Sequence, residues 1–413
     1  MAFEMDRDDE YLNEEDVKIV VFGVGGGGGN TIATMVEKEV GSVHYTIANT
    51  NIRDLDNKDK SKITTIHLAR KVNDEQSQRI GDPVRSRRRG KVRGAGGDPK
   101  VGEACAKDTQ ELIVNELMDA DMVFIAASMG GGTGTGAAPV IAEIARKMDI
   151  LTVGVVTKPF RYEGADRMNT AIEGIKRMRE NVDALIVIDD ESVFRLPDNS
   201  NLDIQSVFKA VDDVLCKAVI GIINIINADG FINVDFADIC AALENAGLAH
   251  MAIGHGKGER ARQTAVDEVL HSPLLMTSID GAKRGLINIS IPRTFPINEY
   301  QQLASEIAMK FNTEARFKVG VVFDSSLQDD EIDIIAIATD FDKEIEDQVI
   351  NDRSPALNTP EAFDNFFAQS TQNAFSGLGA GSFGSVLGGS ADDPNRANAL
   401  MNAMNAINGT KGR

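Results

Sequence analysis

Residues 119–160 read DADMVFIAASMGGGTGTGAAPVIAEIARKMDILTVGVVTKPF, and this stretch decides the fold. Its apolar runs at 122–127 and 151–157 contain β-branched side chains, which is typical of strands buried on both faces of a parallel sheet. Between them come a glycine-rich loop at 130–136 and a segment at 137–148 with helical spacing. Strand, glycine loop, helix and strand in this order predict a doubly wound α/β domain, whose ligand-binding loops lie at the carboxyl ends of the strands.

The same unit recurs on the N-terminal side. Residues 17–24 (VKIVVFGV) predict a buried strand, and they are followed by a run of glycines and then by helical spacing. Further strands are predicted at 44–49 and 184–188, with a helix at 166–179. We therefore predict a Rossmann-like domain over residues 17–200.

A long helix and a second domain follow. Apolar residues recur at helical spacing from 204 to 226 without a proline, which predicts one central helix within 201–228. Beyond it, three strand-like runs and one helical segment lie at 286–291, 317–323, 333–338 and 297–311. The predicted fold class is α/β, with a smaller α/β domain over 229–341 joined to the first domain by the central helix.

The two ends of the chain differ from the rest in composition. Residues 1–16 contain eight acids and one arginine, which predicts a disordered acidic extension. Residues 342–413 shift to glycine, serine, asparagine and alanine, which predicts a flexible linker and tail. Within the tail, residues 394–407 place apolar side chains on one helical face, so either a docking peptide for a partner or a frayed end fits the pattern.

Composition excludes several classes of function. The 413-residue chain has 63 acidic and 43 basic side chains and a net charge of −20, which disfavours a general role in coating nucleic acid. Three cysteines without a CxxC pair fit a reducing compartment, and the five histidines lack metal-ligand spacing. With no signal-like N-terminus and no uninterrupted apolar span, the sequence predicts a soluble cytoplasmic protein.

The first glycine loop, GVGGGGGN at 23–30, has the composition of a phosphate cradle. Without Cβ atoms its backbone N–H groups can approach an anion at a helix N-terminus. Gly23, Gly25 and Gly28 also satisfy GxGxxG, so this loop alone leaves a nicotinamide or flavin dinucleotide site open. The loop lacks a GK[ST] ending, which argues against a Walker-type site.

The second loop, GGGTGTG at 130–136, adds two threonine hydroxyls to a second ring of amides. Two cradles suit a triphosphate enclosed from both sides better than they suit a dinucleotide. This motif is the signature of the tubulin and FtsZ superfamily, and residues 17–341 resemble the FtsZ family of prokaryotic tubulin-like cell-division GTPases, with several motifs in order. Some features resemble archaeal members of that family.

The resemblance implies a set of GTP-binding residues. They are Gly26, Gly27, Gly28, Gly29, Asn30, Asn49, Ala95, Gly96, Gly97, Gly131, Gly132, Thr133, Gly134, Thr135, Gly136, Glu163, Arg167, Phe208, Asp212 and Asp213.

Five of these residues match family positions that contact the nucleoside. Glu163 corresponds to the acid that contacts the ribose, and Arg167 to an arginine that contacts the nucleotide. Phe208 matches the ring that stacks on guanine, and Asp212 with Asp213 matches the pair that reads the base edge. A carboxylate can accept hydrogen bonds from N1–H and the 2-amino group of guanine, so the resemblance implies GTP and GDP as ligands instead of ATP.

The segment from Gly230 to Asp238 carries the candidate catalytic residues. From the residues alone, Asp235 and Asp238 fit a helix cap with acidic first-turn residues. The resemblance instead implies that Asn233, Asp235 and Asp238 form the family's synergy loop, which acts on the nucleotide of the next subunit. Residues 229–341 are then the GTPase-activating domain, and Mg²⁺ is expected on the GTP phosphates without metal ligands assigned to the protein.

Three positions depart from the family's usual pattern. Asn51 stands where aspartate is common, so an acidic contribution near the metal or ribose is missing. Asp98 stands where asparagine is frequent, and the base-reading pair is Asp212–Asp213 instead of Asn–Asp.

An insert at 67–93 contains nine basic and three acidic side chains. It is either an exposed flexible loop or a contact for a polyanion, lipid or partner near the nucleotide. The tail lacks the family's usual acidic and apolar docking peptide, which puts the standard membrane-tether partners in doubt.

These observations predict a GTPase that polymerises head to tail, hydrolyses GTP at the subunit interface and scaffolds a division ring at mid-cell. The expected partners are further copies of the chain and tether or division proteins bound through the tail, with membrane contact only through them and no specific nucleic acid. The alternatives are an NAD-dependent Rossmann enzyme, a filament with slow GTP turnover, and a cytoskeletal role other than division.

Overall fold

The structure is a computed structural model that describes residues 17–38, 40, 43–70, 94–195, 203–227, 234–272, 274–275, 282–310, 316–324 and 327–351. The predicted acidic extension at 1–16, the insert from 71 to 93, Asn233 and the chain beyond 351 lie outside the described residues.

Strands and helices alternate through the first half of the chain, as the apolar runs predict. Along β1, Ile19 and Val21 belong to one core while Val20 and Phe22 belong to the other, because successive side chains face opposite sides of a strand. Helices cover both sheet faces, which explains the continuous apolar runs. The elements are β1 (Ile19–Val24), α1 (Gly25–Glu37), β2 (Val43–Asn49), α2 (Ile52–Asp56), β3 (Thr64–His67), α3 (Pro99–Asp108), α4 (Gln110–Leu117), β4 (Met122–Ser128), α5 (Thr133–Lys147), β5 (Leu151–Lys158), α6 (Ala165–Arg179) and β6 (Ala184–Asp189).

The second half begins with the long central helix and continues with a mixed arrangement. Its elements are α7 (Ile204–Asn227), α8 (Phe236–Leu243), β7 (Gly247–Lys257), α9 (Ala261–Leu270), β8 (Arg284–Ile291), α10 (Ile297–Lys310), β9 (Arg316–Phe323), β10 (Glu331–Thr339) and α11 (Lys343–Ile350).

All ten strands form one sheet in the order β3-β2-β1-β4-β5-β6-β7-β10-β8-β9. The first six strands are parallel. Strand β7 joins the halves, because its first residues pair parallel with β6 while the stretch from His250 to Lys257 pairs antiparallel with β10. The predicted α/β class is therefore confirmed, with the two halves sharing a sheet.

Helix α7 packs against both halves of that sheet. Its Val211 and Ile222 lie in the same core as Ile186 of β6 and Leu286 of β8. Gly221 allows close approach, since a Cβ at this position would lie 2.7 Å from the Ile335 side chain. The helix therefore fixes where the second half lies relative to the first.

Strand β7 is one of several elements that the sequence analysis does not predict; the others include β3, α2, α3, α4 and α9. Strand β7 contains few large apolar residues, because Gly254 and Gly256 pass directly beneath α9. A Cβ at these positions would overlap the carbonyl oxygens of Ala265 and Ala261. Close packing of a helix on this strand thus removes the β-branched signature that predicts strands elsewhere.

The folded chain continues past the predicted boundary at 341. Helix α11 lies inside the segment predicted as linker, and its Val349 and Ile350 are buried in the core of the first half. The fully buried Lys158 side chain donates a hydrogen bond to the Val349 carbonyl oxygen at 2.5 Å. The remaining residues of α11 are mostly polar, which explains why composition alone favours a linker.

Candidate nucleotide-binding site

The loops that follow the parallel strands gather at one edge of the sheet. Strands β1, β2 and β4 are in register, with Val24 opposite both Ala48 and Ala127, so they end side by side. The glycine loop after β1, the loop after β2 and the glycine loop after β4 are therefore neighbours. This is the carboxyl edge, where open α/β sheets bind their ligands.

The first glycine loop packs closely against β4. Helix α1 begins at Gly25 with a φ of 77°, and Cβ atoms on Gly27 and Gly28 would overlap Ser128 Oγ and the Ala126 carbonyl oxygen. At Gly26, in contrast, a Cβ would meet nothing within 4 Å. The loop thus has one face packed on protein and one open face.

The second glycine loop packs against Ala95 and the end of β4. Cβ atoms on Gly132 and Gly134 would lie 2.7 Å from Ala95 Cβ and 2.6 Å from the Ser128 carbonyl oxygen. Gly131 again faces open space. Each glycine loop therefore presents backbone on an open side and rigid protein on the other, which is the arrangement that a phosphate cradle needs.

The two threonine hydroxyls of this loop make hydrogen bonds within the protein. The Thr133 hydroxyl lies 2.7 Å from the Thr50 hydroxyl, and the Thr135 hydroxyl accepts a hydrogen bond from Gly130 N at 2.9 Å. Thr135 is only 2% exposed. These hydroxyls hold the loop in shape, and the groups left to face a ligand are mainly backbone N–H groups.

The third loop, residues 94–98, packs on the second glycine loop at Gly132, and we call the space beside the open faces of the three loops the concavity. Gly96 and Gly97 have φ values of 61° and 81°, and Cβ atoms on either would meet nothing within 4 Å. Asp98, one of the departures from the family pattern, caps α3 by accepting from Lys100 N at 2.9 Å. Since asparagine and aspartate are comparably good N-caps, this departure leaves the start of α3 unchanged.

The loop after β2 supplies amide and carboxylate groups. Asn49 and Asn51 both donate to the Asp54 carboxylate, at 3.1 and 2.9 Å, and Asn51 also caps α2. The Asp54 carboxylate therefore places a negative charge beside Asn51. Asn30 accepts a hydrogen bond from Lys58 at 3.3 Å. Sequence reasoning did not identify Asp54 or Lys58 as members of the site.

Glu163 and Arg167 form a pair on the turn after β5. One Glu163 oxygen accepts from Phe160 N at 3.1 Å, and the other pairs with Arg167 Nη1 at 2.8 Å. A Cβ on Gly130 would lie 2.8 Å from Arg167 Cγ. The pair thus lies directly against the second glycine loop.

Phe208 stands on a small aromatic cluster at the start of α7. It is 45% exposed and packs edge-to-face on Phe160, with ring centroids 5.8 Å apart and planes at 86°. Phe160 is buried and stacks on Tyr162 at 5.0 Å. Phe160 thereby supports an exposed ring that could stack on a base.

Helix geometry separates the two aspartates of the predicted base-reading pair. Asp212 lies one turn after Phe208 and shares its side of α7, whereas Asp213 is rotated away and pairs at 2.9 Å with Lys38, the C-cap residue of α1. Neighbouring helical residues point about 100° apart, so the two carboxylates leave the helix in different directions. The geometry favours Asp212 as the carboxylate of the site.

Two carboxyl groups at this end of the concavity have raised pKa values. Burial raises the pKa of Asp212 to about 7, and Asp213 adds to the rise. Burial also raises the pKa of Asp190 well above its ordinary value, with further contributions from Asp189 and from Glu163. Asp190 follows β6 at the same edge, and its position directly after a predicted strand was the signal that could have identified it.

The candidate catalytic residues lie at the other end of the molecule. From Phe208 to Asn227, helix α7 runs nineteen residues, which is about 28 Å at 1.5 Å per residue. Helix α8 follows, and the turn after it bonds to Asp183, which precedes β6: Gly247 N donates to the Asp183 carbonyl oxygen at 2.9 Å. Helix α8 is thus at the amino edge of the sheet, opposite the glycine loops.

Within that region the two aspartates have defined contacts. Asp235 is the N-cap of α8 and accepts from Asp238 N at 2.7 Å. The Asp238 carboxylate pairs with Lys318 of β9 at 2.5 Å. The cap that the residues alone predict is therefore present, and it leaves the Asp238 carboxylate free for another contact.

The described residues contain neither a metal-binding cluster nor a membrane-spanning helix. No group of three or more histidine, cysteine, aspartate or glutamate side chains there could hold a metal ion. Among the helices of that part of the chain, none is long and apolar enough to cross a membrane.

Cys105 and Cys216 are free and buried, and Cys240 is free and half-buried.

Comparison with known proteins agrees with this architecture. Residues 18–198 match the Tubulin/FtsZ family, GTPase domain, and residues 247–342 match the FtsZ family, C-terminal domain. The two matched ranges correspond to the parallel half of the sheet and to the mixed half that begins at β7.

Curated relatives are similar over most of their length. Cell division protein FtsZ 1 from Methanocaldococcus jannaschii is 37% identical over 321 residues, covering 77% of this chain and 82% of the relative. Cell division protein FtsZ from Aquifex aeolicus is 40% identical over 337 residues, covering 81% and 86%.

A solved structure described as an empty FtsZ dimer from M. jannaschii superposes with a TM-score of 0.70 at 36% identity, covering 80% of this chain and 90% of that one. The fold, the three glycine loops at one sheet edge and the extent of these matches lead to one conclusion. The chain belongs to the FtsZ family of tubulin-like GTPases, and its GTPase domain binds GTP and GDP.

Proposed function

We propose that this GTPase polymerises head to tail and hydrolyses GTP between subunits, where α8 of one subunit completes the site of the next. The observation that carries the proposal is the position of Asp235 and Asp238 at the amino edge of the sheet, opposite the glycine loops. Side chains of a few ångströms cannot bridge that separation within one chain. A second copy stacked on the carboxyl edge would bring them to the nucleotide.

The phosphates are proposed to lie among the three glycine loops. Gly26, Gly96, Gly97 and Gly131 have no neighbour within 4 Å of an added Cβ, so this space is free for phosphate oxygens beside backbone N–H groups. The N-termini of α1 and α5 point their positive dipole ends toward it. Asn30 and Asn49 border the same concavity.

The nucleoside is proposed to lie at the carboxylate-rich end. Glu163 would contact the ribose, Phe208 would stack on the base, and ionised Asp212 would accept from N1–H and the 2-amino group of guanine. Adenine offers neither donor in that arrangement, so the site would reject it. Arg167 would balance the local negative charge beside the second glycine loop.

Hydrolysis of the γ-phosphate needs mainly positioning and charge stabilisation. Asn233, Asp235 and Asp238 of the incoming subunit would orient the attacking water in line with the bond that breaks. Mg²⁺ bound with the nucleotide would supply charge neutralisation on the phosphates. Because the carboxylates come from a second chain, turnover would require assembly.

The proposed cellular role is the scaffold of a division ring. Two relatives are named as cell division proteins and one solved M. jannaschii FtsZ is a dimer, which supports self-association and a role in division. Tether proteins would bind the tail beyond residue 351, and the filament would lie at mid-cell, touching the membrane only through them.

The test is GTP hydrolysis measured against protein concentration, together with pelleting, for wild type, Asp238→Ala and Glu259→Ala. Glu259 is an exposed carboxylate on the turn after β7 and serves as the matched control. We expect a critical concentration for activity, near-complete loss of turnover in Asp238→Ala with GTP binding kept, and wild-type behaviour in Glu259→Ala. Catalysis between subunits would be refuted if the rate of GTP hydrolysis were proportional to protein concentration from the lowest concentrations upward. It would also be refuted if Asp238→Ala hydrolysed GTP at the wild-type rate.

A further inference from the structure

The side chain of Lys318 makes a contact that the proposed function does not explain. Its Nζ lies 2.5 Å from Asp238 Oδ1, joining strand β9 to the first turn of α8 across eighty residues of sequence. Both side chains are partly exposed, at 50% and 30%. Exposed ion pairs add little to stability, so stability alone is a weak reason for this pairing.

Lys318 also interrupts an apolar row across the sheet. Met251, Ile337 and Leu286 are cross-strand partners on β7, β10 and β8, and all three are buried in the core beneath α7 and α8. The next position in the row, opposite Leu286, is Lys318. The row of apolar residues thus continues on β9 with a cation, and the side chain of this lysine reaches the start of α8.

The alternative explanation is protection of a sheet edge. Strand β9 is the last strand of the sheet, and lysines on edge strands prevent pairing with other chains. Such protection needs only a charge at the edge. It does not require contact with Asp238, so the two explanations predict different behaviour of variants.

Asp238 has two competing partners for its carboxylate. As the third residue of a helix capped by Asp235, it could reach back to the Asp235 backbone N–H in a capping box. In the structure only the other half of that arrangement is present, with Asp238 N donating to Asp235 Oδ1 at 2.7 Å. The carboxylate is directed to Lys318 instead.

We propose that Lys318 is a positioning residue for GTP hydrolysis: it holds the Asp238 carboxylate away from the helix backbone and aimed at the next subunit. This rests on the proposed role of Asp238 between subunits. With Lys318 bound to one carboxylate oxygen, the other oxygen stays available to accept a hydrogen bond from the attacking water. At a subunit interface the attraction between the two charges would increase as the local dielectric constant falls, and separating them there would leave an uncompensated buried charge.

The experiment compares Lys318→Met, Lys318→Arg, Asp238→Asn and the double variant Lys318→Met with Asp238→Asn. Turnover per pelleted subunit and the KM for GTP are measured for each full-length protein. Arg316→Met is the matched control, because Arg316 is an exposed cation two residues earlier on the same face of β9.

We expect Lys318→Met to lower kcat roughly tenfold with an unchanged KM, since misplacing a catalytic group affects the reacting geometry and not nucleotide binding. Lys318→Arg should restore most of the turnover, and Arg316→Met should match wild type. The double variant should be no slower than Asp238→Asn alone, because Lys318 acts through Asp238.

The proposal would be overturned if Lys318→Met kept the wild-type kcat. It would also be overturned if adding Lys318→Met to Asp238→Asn lowered kcat by the same factor as Lys318→Met lowers it in the wild-type protein. If Lys318→Met does not pellet alone, it is mixed in increasing fractions into wild-type filaments. Turnover should then fall with the incorporated fraction, and turnover that stays at the wild-type level would overturn it equally. Undiminished turnover in Asp238→Asn would instead refute the proposed function itself, so the two failures are distinguishable.

Discussion

The hydroxyl groups of Thr50 and Thr133 lie 2.7 Å apart and tie the loop after β2 to the second glycine loop. The two residues are 83 positions apart in the chain, and Thr50 is fully buried. Because Thr133 is the first residue of α5, this bond fixes where that helix begins. The positions of these two loops therefore depend on each other.

Replacing Thr50 by valine should weaken GTP binding about three- to tenfold, because the lost hydrogen bond releases the second loop and leaves the Thr133 hydroxyl without this partner. Binding of a fluorescent GTP analogue below the polymerisation threshold measures the effect. Thr170→Val is the control, since the Thr170 hydroxyl bonds to the Asp166 carbonyl oxygen on the exposed side of α6. Equal affinity in both variants would contradict the prediction.

The packed and open glycines of the cradle should respond differently to alanine. Gly28→Ala should lower the free energy of unfolding by about 1–3 kcal/mol, because the new Cβ overlaps the Ala126 carbonyl oxygen. Gly131→Ala should leave stability nearly unchanged and weaken GTP binding, since its Cβ enters the open concavity. Thermal unfolding in the absence of nucleotide measures the effect on stability, and a GTP titration measures the effect on binding. Wild-type GTP affinity in Gly131→Ala would show that the phosphates do not lie beside Gly131.

The Asp212 carboxyl should make the stability of the nucleotide-free chain depend on pH. Its pKa rises from 3.8 to about 7 on folding, because burial and Asp213 disfavour the charged form. The folded chain then binds this proton more tightly than the unfolded chain, so stability from this group is present below pH 4 and is lost as pH rises through 7. The free energy of unfolding of wild type minus that of Asp212→Asn, measured by denaturant unfolding, should be lower at pH 8 than at pH 5. The same difference at both pH values would contradict the prediction.

The same carboxyl should give GTP affinity a pH dependence of opposite sign. Only ionised Asp212 can accept from both N1–H and the 2-amino group of guanine, so affinity should rise between pH 6 and pH 8. Asp212→Asn should flatten this profile and reduce discrimination of GTP from ATP roughly tenfold or more. Asp213→Asn is the matched control: it should keep the discrimination of GTP from ATP, since Asp213 pairs with Lys38, and it should move the midpoint of the pH profile to lower pH, since Asp213 adds to the rise in the Asp212 pKa.

Two truncations should distinguish α11 from the rest of the tail. A chain ending at 342 loses the buried side chains of Val349 and Ile350 and the Val349 carbonyl oxygen that accepts from Lys158, and should unfold at lower temperature than a chain ending at 351. The side chain of Glu346 adds to the loss, because it accepts from Leu248 N at 3.0 Å and pairs with Arg179. Equal unfolding temperatures would show that α11 contributes nothing to the core of the first half.

The parallel half of the fold could be predicted because its signals are local. Buried strands such as β4 and β5 are continuous apolar runs, and each glycine loop directly follows its strand. Strand β7 and helix α11 could not be predicted in this way. Glycines beneath a helix remove the strand signature of β7, and α11 buries only its last residues.

The sequence by itself determined the α/β class, the glycine loops and the family, because each depends on residue types at short spacing along the chain. Only the tertiary structure decided that Asp213 pairs with Lys38, that Asp212 contributes to the raised pKa of buried Asp190, and that Lys318 meets Asp238. These relationships depend on the rotation of a helix and the register of strands. Both are set by packing between segments far apart in sequence, where local residue patterns carry no information.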